Sequence, residues 1–216
     1  MIATIPLQST LEHRVVKCDV SWLQYDRMIR ESDKRRTRIA FDQGVLEIMS
    51  PSRLHETAGS FIGRMIETFT EVRDIEIAAV KSTTFRREDV QRGFEADESY
   101  YIANAQRVRG LAEIDLSIHP GPDLVLEVDI GRSSLPKFGI YAALRVSEVW
   151  LYYGDRLRVF VLQVDGQFDE VPGSRVLPEF PISEIPHWFE KIQELGETKA
   201  IRAFRSQETA RSSSVE

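Results

Sequence analysis

The sequence predicts a mixed α/β fold: a central mixed β-sheet flanked by α-helices. Three observations carry this expectation. One long segment, Leu54 to Arg73, has apolar residues at a helical period. Several short runs rich in β-branched and aromatic residues read as strands. Helical and extended segments follow one another as helix, hairpin, helix, several strands, helix, hairpin, helix, an order that lays helices on the faces of a sheet.

In chain order, residues 1–16 read as a flexible lead-in. The opening MIATIPLQSTLEHR has no basic stretch followed by an apolar one, so it is not a secretory signal. Ser21 with Gln24 forms the pattern of a capping box, opening a helix to about Glu31 whose buried stripe is Trp22, Tyr25, Met28 and Ile29. From Arg27 to Arg38 the bases Arg27, Arg30, Lys34, Arg35, Arg36 and Arg38 outnumber Glu31 and Asp33. This reads as a solvated turn, with a phosphate-contacting loop as the alternative. RIAF and VLEIM flank Asp42-Gln43-Gly44 as a hairpin.

On the long helix, Leu54, Ala58, Phe61, Ile62, Met65, Ile66, Phe69 and Val72 share one arc, which must cover a sheet. Glu56 faces away from that arc and His55 lies at its edge. Gly59 and Gly63 make a GxxxG pair, which outside a membrane span means close packing or chance. IEIAAV, TTFRR and SYYI read as strands, with a turn-like EDVQRGFEAD before the last. After the segment Pro122–Ile130, Ser133 or Ser134 caps a helix with Pro136 in its first turn, running to about Leu144. EVWLYY and RLRVFVLQV form a hairpin about Gly-Asp, GQFDEV adds a strand, and Ile182 to Leu195 is a closing helix. The tail from Arg205, RSQETARSSSVE, is Ser-rich without apolar period and reads as a disordered end. One domain, residues 17–200, is therefore expected between the lead-in and a tail at 205–216.

Composition narrows the function. With 28 Lys plus Arg against 34 Asp plus Glu, the net charge of −6 excludes a protein that coats nucleic acid, because such binding rests on neutralised phosphates. Local or metal-mediated contact with DNA stays open. The lone Cys18 excludes a disulfide framework and a CxxC zinc site. No apolar run approaches the roughly 20 residues of a membrane span, and a cytoplasmic location is expected. No GxSxG is present, and His13, His119 and His187 are scattered, so a triad hydrolase has no support.

The segment PDLVLEVDI, Pro122 to Ile130, is the most informative. Leu124, Leu126, Val128 and Ile130 point to one strand face, and Asp123, Val125, Glu127 and Asp129 to the other. Three carboxylates on one face of so apolar a strand need a cation, since a buried unpaired carboxylate is costly. A divalent metal supplies one; pairing with Arg86, Arg87 or Arg132, or exposure of that face to solvent, is the alternative.

The pieces GVLEIMSPSRLHE, GFEADESYYI, PGPDLVLEVDI and PKFGIYAALRVSEVWLYY, in this order, resemble the Uma-two family, bacterial proteins grouped with the restriction endonucleases of the PD-(D/E)XK nuclease superfamily. The resemblance spans roughly residues 20–190. It implies a restriction-endonuclease-like fold and a Mg²⁺-dependent site, with Mn²⁺ as a substitute, that hydrolyses phosphodiester bonds of DNA. Asp97, in Glu95-Ala96-Asp97, matches the Asp of the family's Glu-Pro-Asp triplet, and Glu127, 30 positions later, matches the acid of the (D/E)XK strand. Both would hold the metal. Asp129 stands where the superfamily has its lysine and would complete the site or position water, while Lys137 matches a lysine common in the family and would supply the missing positive charge. His55 and Glu56 match helix positions that bind the metal or orient its ligands: helical period favours His55, superfamily habit Glu56. Glu47 is a lesser candidate, and Asp123 is too close to Glu127 on one strand to be the family's aspartate. The missing strand lysine keeps an alternative open, a nuclease-fold domain that binds DNA or protein without cutting. A homodimer is expected by analogy with enzymes that cut both strands.

Overall fold

The computed structural model describes residues 12–31, 37–130 and 136–213. The chain begins with β1 (His13–Lys17), α1 (Trp22–Glu31), the hairpin β2 (Arg38–Asp42) and β3 (Val45–Ser50), and α2 (Arg53–Val72). Four short strands follow, β4 (Ala78–Ala79), β5 (Thr84–Arg87), β6 (Arg92–Glu95) and β7 (Glu98–Tyr101), then a single helical turn, α3 (Ala105–Val108). β8 (Leu124–Val128), α4 (Phe138–Ala143), β9 (Glu148–Tyr153), β10 (Arg156–Leu162) and β11 (Phe168–Val171) lead to a 3-10 turn at Ile182–Glu184 and the helices α5 (Ile185–Leu195) and α6 (Glu197–Ser212).

The described strands make two sheets where the sequence suggested one. The first, in the order β1-β3-β2-β6-β5, is antiparallel throughout. The second, β11-β10-β9-β8-β7-β4, is mixed, because β8 and β9 run parallel. A parallel pair cannot be closed by a tight turn, and α4 lies in the crossover that joins them. On one face of the mixed sheet, Phe61, Ile62, Met65, Ile66 and Phe69 of α2 pack with Leu124, Leu126 and Trp150. Each such side chain, fully buried, contributes about 1.5–3 kcal/mol. On the other face, Val125 and Val149 meet Tyr141 of α4 and Ala40, Phe85 and Phe94 of the antiparallel sheet. Tyr25 and Ile29 of α1 cover the far side of that sheet at Ile39, Phe41 and Leu46.

Much of the local reading agrees. Ser21 and Gln24 make the capping box, Ser21 N donating to Gln24 Oε1 at 2.8 Å and Gln24 N to Ser21 Oγ at 3.3 Å. Gly63 is a close-packing position, since a Cβ there would stand 2.9 Å from the Tyr100 hydroxyl.

Four expectations are corrected. IEIAAV yields strand only at Ala78–Ala79. The turn-like segment before SYYI contains β6, whose Gly93 and Phe94 are buried between β2 and β5. The lead-in is not loose from residue 12 onward, because β1 pairs with β3 along its length. The tail from Arg205 continues α6, in which Phe204 and Glu208 are both fully buried. Glu208 accepts hydrogen bonds from Arg73 and Arg211, an ionic anchor that a search for apolar period does not register. The expected caps Ser133 and Ser134, the end residues 214–216, Arg132 and residues 32–36 of the basic stretch lie outside the described residues. Among the described helices none is long and apolar enough to cross a membrane.

Candidate active site

The chain passes from the antiparallel to the mixed sheet in two residues, Ala96 and Asp97, between β6 and β7. That step brings Asp97 to the end of β8, where its Oδ2 accepts a 2.8 Å hydrogen bond from the Val128 amide. Glu127, one residue earlier, is held at both oxygens: Oε2 accepts from Lys137 Nζ at 2.7 Å and Oε1 from the Tyr141 hydroxyl at 2.8 Å. Lys137 and Tyr141, four residues apart at the start of α4, reach this carboxylate from one helix face. His55 stands in the first turn of α2, its amide donating to the Ser52 hydroxyl. Its ring is buried between two acids, with Nε2 2.8 Å from Asp97 Oδ2 and Nδ1 2.5 Å from Glu12 Oε1.

A second cation closes the site from β1. Arg14 donates to Glu12 Oε2 at 2.8 Å, to Asp129 Oδ1 at 3.3 Å and to Glu47 Oε1 at 3.4 Å. Arg38 of β2 places Nε 3.4 Å from Asp97 Oδ1 and donates to Glu56. A cavity of about 410 Å³ opens beside Arg14, Glu127, Asp129 and Lys137, with Tyr141 and Phe138 in its wall.

Burial and charge separate the two central carboxylates. Burial pushes the Glu127 pKa up and Asp97 adds to this, while Lys137 and Tyr141 only partly offset them. For Asp97 burial also disfavours charge, but His55, Lys137 and the Val128 amide outweigh it and hold the carboxyl below its ordinary value. Burial alone would lower the His55 pKa; Asp97 and Glu12 reverse the sign and raise it. The Lys137 pKa is raised for the same reason, with Glu127, Asp97 and Glu47 prevailing over burial.

Asp97, Glu127, Lys137 and His55 thus come together. Asp129 stands beside them, tied to Arg14. Glu56 does not join: its side chain is 52 % exposed and pairs with Arg38 on the outside. His55 is the residue of this pair that turns inward, as the helical period predicts. Arg86 and Arg87, offered as partners for the strand acids, pair instead with Asp26 and Asp89. Asp123 accepts from the amides of Ile102 and Asn104 and from Asn104 Nδ2. Glu12, Arg14 and Tyr141 escaped the sequence reading. The i, i+4 spacing of Lys137 and Tyr141 was a usable signal, as was the i, i+2 spacing of Glu12, just before β1, and Arg14.

The residues suit a hard divalent cation. Asp97 Oδ1 is buried and accepts no hydrogen bond among the described residues. Both central groups are oxygen donors, and their mutual repulsion is the kind a cation relieves. No three His, Cys, Asp or Glu side chains converge as a closed metal cage among the described residues. Magnesium commonly needs no such cage, being held by one or two carboxylates with water and substrate phosphate.

A family model described as "Uma2: Putative restriction endonuclease" matches residues 22–192. The chain belongs to the Uma2 family. Among solved structures it resembles one titled "Crystal structure of a putative nuclease belonging to DUF820" from Anabaena variabilis, with a TM-score of 0.51 and 14 % identity over 76 % of this chain and 92 % of that one. At this identity the likeness concerns the fold, which is the restriction-endonuclease-like arrangement expected from the sequence. No curated protein matches. The Uma2 match begins at residue 22, after Glu12 and Arg14, so two charged groups of this site come from outside the matched segment.

Proposed function

We propose that this Uma2 protein is a divalent-metal-dependent endonuclease that hydrolyses phosphodiester bonds of DNA. The observation that carries the reading is the buried Asp97–Glu127 pair at the end of β8, with an Asp97 oxygen that accepts no hydrogen bond and has only the 3.4 Å ion pair to Arg38, and the Lys137 ammonium on Glu127. Asp97 and Glu127 would hold Mg²⁺, or Mn²⁺ in its place. The cation, when bound, supplies a polarised phosphoryl group and a bound water of lowered pKa.

The chain's own residues do the rest. Lys137 places positive charge where the phosphoryl oxygens gain negative charge, in the role the strand lysine has in the superfamily and Asp129 cannot play. Tyr141 fixes the Glu127 carboxylate by its hydroxyl. Both His55 nitrogens face carboxylates, so His55 acts by holding Asp97 in place rather than as a ligand. Asp129, on the cavity wall, is the remaining acid able to orient a water there. A homodimer, one copy for each strand of a duplex, belongs to the same proposal by analogy of fold.

Plasmid cleavage with and without Mg²⁺ tests the reading. Asp97→Ala is expected to drop cleavage to background while its circular dichroism stays that of the wild type. Undiminished cleavage by that variant would overturn the assignment. A second reading, a DNA- or protein-binding domain without cleavage, draws on one observation: both Glu127 oxygens are already bonded to Lys137 and Tyr141. It predicts DNA binding without turnover in either metal.

A further inference from the structure

A second cavity, of about 240 Å³, lies near the opposite end of β8. Its lining includes Arg87, Arg107, Arg145, His119, Ser117 and Ser147, and no acidic residue is among it. In a protein of net charge −6 this is an unusual concentration of one sign. We propose that this cavity binds a phosphate group, independently of whether the Asp97–Glu127 site cleaves DNA.

The cavity is held in shape by buried structure. Asp123, 3 % exposed, receives the Asn104 amide nitrogen at 2.7 Å, and Asn104 Oδ1 in turn accepts from Arg107 Nη1 at 3.1 Å. The buried carboxylate thereby orients an arginine through an amide, while its own charge is taken up by three N–H donors. Arg145 follows the last turn of α4 with φ 59°, at the position where helices usually place glycine. Its backbone is pinned, because Gly121 lies so close that a Cβ there would stand 2.4 Å from the Leu144 carbonyl and 2.5 Å from that of Arg145.

The donors suit a phosphate. Among the described residues neither Arg107 nor Arg145 forms an ion pair with a carboxylate, whereas Arg87 is tied to Asp89 outside the cavity. His119 Nδ1 accepts from the Asp115 amide at 3.0 Å, which assigns the ring proton to Nε2 and makes the side chain a donor. Planar guanidinium groups match phosphate oxygens better than any other side chain.

Two sources can bring that phosphate: a nucleic-acid strand or a free phosphate compound such as a nucleotide. Gly121 precedes Glu127 by six residues, about 20 Å of extended chain. The phosphates of one strand of duplex DNA rise about 3.4 Å each along the helix axis, so a span of this length along the axis corresponds to about six nucleotides.

The test uses the full chain and the double variant R107A/R145A, with Arg202→Ala on α6 as a control for lost surface charge. Arg145→Gly, which relieves the positive φ, serves as the second variant should the double one fold poorly. Inorganic phosphate and a nucleoside monophosphate are titrated by calorimetry at low salt, and a labelled 20-mer, single- and double-stranded, by fluorescence anisotropy over a salt series. If the source is nucleic acid, R107A/R145A binds the 20-mer about tenfold more weakly and the slope of its log Kd against log salt falls by about one for each arginine removed, with Arg202→Ala like wild type. If the source is a free phosphate compound, the titrated anion binds wild type and not the variant, and the 20-mer is unaffected. Either result supports the site. Indistinguishable behaviour of wild type, R107A/R145A and Arg145→Gly toward all probes overturns it.

Discussion

Strand β8 has a buried carboxylate at each end of one face, and the fold treats the two differently. Asp123, just before the strand, is satisfied by neutral N–H donors, two from backbone amides and one from Asn104. Glu127, four residues on, is satisfied by an ammonium and a phenol, both on side chains. Backbone donors are fixed by the fold and cannot leave; side-chain donors can be displaced by a competing cation or substrate. Equal burial therefore does not mean equal purpose: the first acid fastens a loop, and the second is the one that the proposed function puts to chemical use.

The sharpest test of this contrast is Lys137→Met. If the Lys137 charge acts on the reacting phosphate, cleavage at saturating Mg²⁺ falls about 10²–10³-fold, measured as single-turnover rate. An unchanged rate would make Lys137 a mere counter-ion. Asp123→Ala is the mirror experiment. It strands three donors and should destabilise by about 3 kcal/mol in urea unfolding, while the folded fraction keeps the wild-type rate per molecule. Loss of rate without loss of stability would erase the distinction between the two ends.

A smaller effect separates the ends by pH. The Glu127 pKa is raised above its ordinary 4.5 by burial and by Asp97. A carboxyl raised in the folded state contributes stability that is complete below the unfolded value and disappears as pH rises through the folded one. Unfolding of the metal-free protein should thus lose stability as pH rises from 4.5, and Glu127→Gln should remove that component. Carbon-13 NMR of the Glu127 carboxyl checks the shift directly, and a midpoint at or below 4.5 would contradict it. The smallest effect concerns the helix pair. Glu56→Ala breaks an exposed ion pair worth at most about 1 kcal/mol and should leave cleavage intact. His55→Ala, which frees Asp97, should reduce cleavage and also weaken Mg²⁺ affinity as read by calorimetry.

What the sequence disclosed depended on the kind of order involved. Alternation along Leu124–Val128 placed Glu127 and Asp123 on one face, because strand period fixes direction whatever the partners. The period of α2 put His55 inward and Glu56 outward for the same reason. Asp97 was another matter: no local pattern marks a residue in a two-residue step between sheets, and only the family resemblance singled it out. Glu12 and Arg14 were invisible because β1 is mostly exposed and lacks alternation, and its pairing with β3 lies about 30 residues away along the chain. The single sheet expected became two because strand segments can be read from sequence, while which edges pair depends on residues distant along the chain. α6 was missed because its inward position at Glu208 is charged.

The two-residue step at Ala96 and Asp97 has a mechanical consequence. Two residues span at most about 7 Å, so the link has no slack. Asp97 sits on that tether, and Glu127 belongs to one of the bodies it joins. Asp97 also accepts from the Val128 amide, so the step clamps the end of β6 to the end of β8 that carries Glu127. The two sheets are thus stapled together at the place where an ion would be shared, so the seam of the fold and the proposed site coincide.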